Sequence, residues 1–130
     1  MPATLALKEL YQPVEAPLDL VRETMTTVWM DALRLVRVDS AGDALAPGGK
    51  MLRRAFCLLS AGSLGLQDLS RFVPLAASYE ALHLASLAHD DVVDRALMRR
   101  GGSSLNALWN NHAAVLGGDY LVARAVEMLG

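Results

Sequence analysis

The chain has 130 residues, 12 basic against 14 acidic, for a formal net charge of −2. That length fits one domain, and 53% hydrophobic content at only 20% charged residues excludes a disordered segment. Near-neutral charge excludes a general attraction to nucleic acid or anionic membrane. Alanine and leucine together supply 44 residues and isoleucine none, a mixture that favours helices over strands. The single cysteine, Cys57, excludes an internal disulfide and a multi-cysteine zinc site, and between Phe56 and Leu58 it reads as a small buried hydrophobe. The start, MPATLALKEL, has no signal-peptide pattern, and no apolar run is long enough for a membrane span. A cytoplasmic location is the expectation.

Residues 1–14 read as a short helical turn and an entry arm ending near Pro13. From Pro17, which suits a first helical turn, Leu18, Val21, Met25, Val28, Ala32 and Leu35 recur at helical spacing. Asp39 to Gly49 is rich in Gly, Asp and Ala and reads as a loop. A second helix is predicted from about Gly49 to Ser60, then a turn over Gly62–Ser70. A third runs from about Arg71 to Val93, and Arg95–Ser104 is a polar connection. Two further helical pieces follow, about Ser104–Asn111 and His112–Leu129. The fold class predicted is all-α, an antiparallel helical bundle within one domain spanning 1–130.

The third helix is apolar nearly all the way round, as in the interior of a bundle. One stripe is the exception. At 100° per residue, Tyr79, His83, Ser86, Asp90 and Asp94 share one side. Polar groups on a buried helix are costly unless paired, and inward carboxylates in bundles commonly hold metals. Asp90 and Asp94, within Asp90-Asp91-Val92-Val93-Asp94, stack about 6 Å apart on one face. Carboxylates without soft ligands favour Mg²⁺ or Mn²⁺ over zinc, and such cations bridge readily to phosphate.

Two basic elements accompany the acidic one. Gly48-Gly49-Lys50-Met51-Leu52-Arg53-Arg54 opens a helix with a glycine pair, and Lys50 and Arg53 share a face. It reads as a phosphate cradle or as a solvated helix start. Arg99-Arg100-Gly101 places two guanidinium forks just after the aspartates. His83 is an anion donor or a satisfied core histidine, whereas His89 and His112 read as structural or exposed. A cation site, basic groups and an apolar bundle suit a phosphorylated, strongly apolar substrate.

His83 to Asp94, Arg99-Arg100-Gly101, Asn106 with Trp109, and the run Val115-Leu116, Gly118-Asp119-Tyr120-Leu121 and Ala123-Arg124-Ala125 together resemble a trans-prenyl diphosphate synthase. Gly48-Gly49-Lys50 with Arg53 matches the same family's upstream motif. The resemblance covers about residues 13–130 and implies an all-helical, usually dimeric enzyme of the isoprenoid synthase type. Such enzymes extend an allylic diphosphate with isopentenyl diphosphate. It implies that Asp90 and Asp94, assisted by Asp91, ligate Mg²⁺ on the allylic diphosphate, and that Arg99 contacts the same group. Lys50, Arg53, His83 and Arg100 would hold the diphosphate of isopentenyl diphosphate.

In that family, bulky residues four and five before the first aspartate wall off the elongation cavity. Here they are Ser86 and Ala85, both small, which implies medium or long all-trans products. Tyr79, eleven residues before Asp90, is either a lower floor or a core residue. Met51 stands where arginine is usual, Arg54 where proline is usual and Asn110 where glycine is common. No second aspartate-rich motif appears among the 130 residues. The expectation is therefore the N-terminal part of a longer synthase, inactive alone. The alternatives are a short subunit completed by a partner chain, and a helical metal-dependent phosphohydrolase drawing on His89, Asp90 and His112. Surplus apolar surface should make the isolated chain associate.

Overall fold

The computed structural model describes residues 3–37, 50–94, 98–99, 102–103 and 110–130. Five helices carry them: α1 (Ala3–Tyr11), α2 (Glu15–Val36), α3 (Leu52–Ser63), α4 (Val73–Val93) and α5 (Asn111–Leu129). Short 3₁₀ turns at Gln12–Val14 and Leu69–Phe72 lead into α2 and α4. Beyond the helices, the described residues contain one minimal antiparallel pairing, β1 (Met98–Arg99) with β2 (Gly102–Ser103). The all-α expectation holds.

Helix α2 follows its sequence pattern closely. Leu18, Val21, Met25, Val28 and Ala32 are buried, with Trp29 beside them, one apolar stripe at a 3.6-residue period. Arg37 ends the helix in the left-handed conformation (φ 56°), its N–H directed at the carbonyls of Leu33 and Arg34. That closure satisfies terminal carbonyls without the usual glycine.

Helix α3 starts and ends about three residues later than the sequence suggests. Met51 is left-handed (φ 56°) and supplies the N-cap, so the chain cannot already be helical at Lys50. Regular α-helix in α4 likewise begins at Val73 rather than Arg71. The preceding residues form a 3₁₀ turn, in which Asp68 accepts from the Ser70 N–H, and Pro74 sits in the first α-turn. Pro is tolerated there because its missing N–H would have no helical partner.

Asn110 has φ 77° and ψ 162°, a region almost reserved for glycine. Its side-chain oxygen accepts the Ala113 N–H at 2.9 Å, and this N-cap bond offsets part of the strain. The departure from the family's common glycine thus has a local physical account.

The core is centred on α4. Its most extensive packing is against α5, with α2 and α3 contributing smaller interfaces. Ala76, Ala77, Ala81, Ala85 and Ala88 of α4 are buried together with Ala113, Ala114, Leu121 and Ala125 of α5. Small side chains permit close helix approach. At Gly118 a Cβ would lie 2.3 Å from the His89 ring, so the imidazole needs the glycine. His89 Nε2 then sits 3.3 Å from both the Val115 carbonyl and Asp119 Oδ1. Ser78 adds a polar tie, its buried hydroxyl 2.7 Å from the Pro74 carbonyl and 3.0 Å from that of Ala125.

Helix α4 is not enclosed all round. Leu75, Tyr79, Leu82 and Val93 are exposed, and the polar stripe lies on this open side. Among the described residues, no helix is long and apolar enough to cross a membrane.

Candidate functional site

The open side of α4 carries the polar residues in order. Tyr79 is 58% exposed. His83 is half-buried, Ser86 and Asp90 are exposed, and Asp94 is exposed at the C-cap. The Asp94 N–H donates to the Asp90 carbonyl at 2.8 Å, so the two carboxylates occupy successive turns. Ser86 turns its hydroxyl back to the His83 carbonyl, 2.8 Å away.

Asp91 has a different environment. It is 0% exposed, on the side of α4 that packs inward. Asp91, given an assisting role by the resemblance, thus lies off the open face that Asp90 and Asp94 share. Ala85 is also buried, while Ser86 lies on the open face. Of the two positions tied to chain length, Ser86 alone borders open space.

Asp90 and Asp94 suit a hard divalent cation in donor chemistry and in spacing. Among the described residues, no group of three His, Cys, Asp or Glu side chains converges on one metal position. Two carboxylates alone fall short of a full shell for such a cation.

Helix α3 brings the upstream basic residues alongside. Lys50 and Arg53 are exposed at its start, and the Lys50 carbonyl accepts a 2.8 Å hydrogen bond from the Tyr11 hydroxyl of α1. Burial pushes the Tyr11 pKa above its ordinary value, favouring the protonated donor. Arg22 of α2 donates to Asp19 at 2.6 Å and reaches the Met51 sulfur at 3.0 Å. The N-terminal helices thus buttress the basic segment, a contact that no local sequence motif announces.

Between α3 and α4 lies an open, mainly apolar cleft of about 530 Å³, bordered by Arg53, Phe56, Cys57, Ser60, Phe72 and Tyr79. Tyr79 therefore faces a cavity and is not a core residue. Cys57 is half-buried on the cleft wall, which corrects its reading as a wholly internal hydrophobe. Its burial still pushes the thiol pKa up. Phe56, 75% exposed, stands on the same side of α3. Neither Phe56 nor Cys57 stands out from sequence, since an aromatic or a lone cysteine on an apolar helix is ordinarily core.

Gly48, Gly49, Arg100, Gly101 and the Asn106–Trp109 segment lie outside the described residues. For Arg99 the backbone alone is described, as the end of β1.

The sequence model of the family described as polyprenyl synthetase matches residues 37–130. The chain belongs to the polyprenyl synthetase family. Among curated relatives it is similar to an all-trans-nonaprenyl-diphosphate synthase (geranyl-diphosphate specific) of Rhodobacter capsulatus, 51% identical over 82 residues. Those residues are 63% of this chain and 25% of the relative. Heptaprenyl diphosphate synthase component 2 of Geobacillus stearothermophilus is 44% identical over 91 residues, covering 70% of this chain and 28% of the relative. A crystal structure of polyprenyl synthase from Caulobacter crescentus, complexed with calcium and isoprenyl diphosphate, superposes with a TM-score of 0.77 at 33% identity. That match covers 95% of this chain and 37% of the solved one. The matched region is thus about a quarter of the length of these curated synthases.

Family membership confirms the all-helical isoprenoid-synthase expectation. It also displaces the phosphohydrolase alternative. His112, which that reading needs, is exposed on α5, and His89 is engaged with Val115 and Asp119.

Proposed function

We propose that this chain supplies part of the active site of a prenyltransferase that condenses isopentenyl diphosphate with an allylic diphosphate into a medium- or long-chain all-trans polyprenyl diphosphate. The observation that carries it is the continuity of one open face. Paired carboxylates stand at the C-terminal end of α4, His83 and Ser86 follow, and Tyr79 borders an apolar cleft that Arg53 also reaches. A diphosphate at one end and an isoprenoid tail along the cleft match that polarity. The nona- and heptaprenyl products named for two relatives support a long chain.

Asp90 and Asp94 would hold Mg²⁺, and when bound the cation neutralises diphosphate charge so that the group departs readily. Calcium and isoprenyl diphosphate in the Caulobacter relative support a divalent cation partnered with such a ligand. Lys50, Arg53, His83 and Arg100 hold the diphosphate of isopentenyl diphosphate by charge-assisted hydrogen bonds, and Arg99 contacts the allylic diphosphate. The allylic C–O bond breaks with its electron pair leaving on diphosphate. The isopentenyl double bond attacks the resulting cation, and a proton is lost. Exclusion of water by the apolar wall protects that cation, and no protein nucleophile is required.

The small α4 residue Ser86 leaves room for elongation past the first aspartate. The share of the curated synthases that the chain covers, about a quarter, supports the N-terminal part of a longer synthase whose remaining length completes the site. Completion by a partner chain is the second reading, supported by the relatives named as component 2 of heptaprenyl diphosphate synthase. The place of action is the cytoplasm.

Cys57 gives a direct test. With Mg²⁺ and an allylic diphosphate at about nine times its Kd, alkylation of Cys57 should slow about tenfold, as roughly 90% occupancy requires. Chelating the metal should remove the protection. Equal alkylation with and without ligand overturns the reading. Incubation with labelled isopentenyl diphosphate, alone and with a candidate partner chain, then reports whether condensation needs the partner.

A further inference from the structure

Three basic side chains open α3, and they meet different environments. Lys50 and Arg53 are exposed, whereas Arg54 is 0% exposed. Its Nη2 lies 3.2 Å from Glu80 Oε1 of α4, and the Glu80 side chain is only 10% exposed. The pair links α3 to α4. Arg54 adjoins Arg53, and Glu80 adjoins Tyr79 and precedes His83 by one helical turn.

Stability alone is a poor account of such a pair. Desolvating two charges offsets most of their attraction, and well-packed apolar residues of similar volume generally serve as well or better. A planar guanidinium against a carboxylate offers direction, which aliphatic packing does not. Direction matters here because the first turn of α3 begins at a left-handed Met51 with no side-chain cap. Its first closed backbone bond, the Ala55 N–H to the Met51 carbonyl at 2.9 Å, abuts the ion pair.

We infer that Arg54 and Glu80 are positioning residues, fixing the first turn of α3 against α4 so that Lys50 and Arg53 stand at the reach from His83 that one diphosphate requires. The inference rests on the reading above that these three residues take a diphosphate. Neither Arg54 nor Glu80 touches the ligand.

The test uses the full 130-residue chain, with two readouts. The first is ligand-free hydrogen exchange at the Ala55 amide. The second is the Kd for isopentenyl diphosphate, followed by NMR at the Arg53 guanidinium and the His83 ring. The double variant Arg54→Met/Glu80→Leu should melt no lower than the parent. Its Ala55 amide should nevertheless exchange at least about tenfold faster, a local loosening without global loss. Its Kd should rise about tenfold.

Parental Ala55 exchange in the double variant overturns the inference, whatever its Kd. Should that variant fail to fold, Arg54→Lys decides instead. It keeps the charge and loses the fork, so faster Ala55 exchange is expected and unchanged exchange overturns. A parent chain that binds no isopentenyl diphosphate refutes the diphosphate reading, while the exchange result still decides whether the pair sets the register.

Discussion

The two sides of α4 are built on opposite principles. Towards α5 the helix is lined with alanines, admits a histidine only where Gly118 leaves space, and shares a buried serine hydroxyl with its neighbour. Towards α3 it leaves the cleft beside Tyr79, with the buried Arg54–Glu80 ion pair as a strut. One helix therefore serves as the central packing element on one side and as a ligand wall on the other. Residues one position apart, such as Asp90 and Asp91 or Ala85 and Ser86, consequently have different physical duties.

Substitutions should separate the two sides, and the largest loss is expected at the strut. Arg54→Ala strands the Glu80 carboxylate in the interior and should lower unfolding free energy by roughly 3–5 kcal/mol in denaturant titration. Next comes Gly118→Ala, whose methyl group collides with the His89 ring. A cost of about 1–3 kcal/mol follows from overpacking, and a neutral result would show that α4 and α5 are not in close contact. Ser78→Ala removes the polar tie to Ala125 and should cost about 1 kcal/mol.

The open face predicts the reverse. Tyr79→Ala and Asp90→Asn should change stability by no more than about 0.5 kcal/mol, the range for exposed positions. Their effects should appear in ligand behaviour: longer products in a condensation assay of the complete enzyme for Tyr79→Ala, and weaker Mn²⁺ binding for Asp90→Asn. An unchanged product spectrum would remove Tyr79 from the chain-length role.

The smallest effect concerns pH. Burial raises the Cys57 thiol above its ordinary value of 9.0, so the folded state holds its proton more tightly than the unfolded chain does. Its contribution to stability is complete below that value and is lost as pH rises through the folded pKa. Alkylation of folded Cys57 should accordingly be slower than that of unfolded chain at the same pH.

Much of this was legible in the sequence because it follows helical periodicity. The α2 stripe, the extent of α4, and the shared side of Tyr79, His83, Ser86, Asp90 and Asp94 all derive from 100° steps. What periodicity does not carry is which side of an apolar helix acquires neighbours. Asp91 looks like part of an acidic cluster until packing buries it, and Arg54 looks like one more surface cation beside Lys50 and Arg53. Helix ends moved for a related reason. Left-handed Met51 and Asn110 are set by backbone conformations that those residue types do not advertise.

The hydrogen bond from Tyr11 to the Lys50 carbonyl spans 39 residues of sequence. Both partners lie within the first 50 residues, so the contact closes without any residue of α4 or α5. The basic segment thus draws support from α1 as well as from the helix that carries the aspartates. Loss of the first dozen residues would be felt there before it reached the α4–α5 interface.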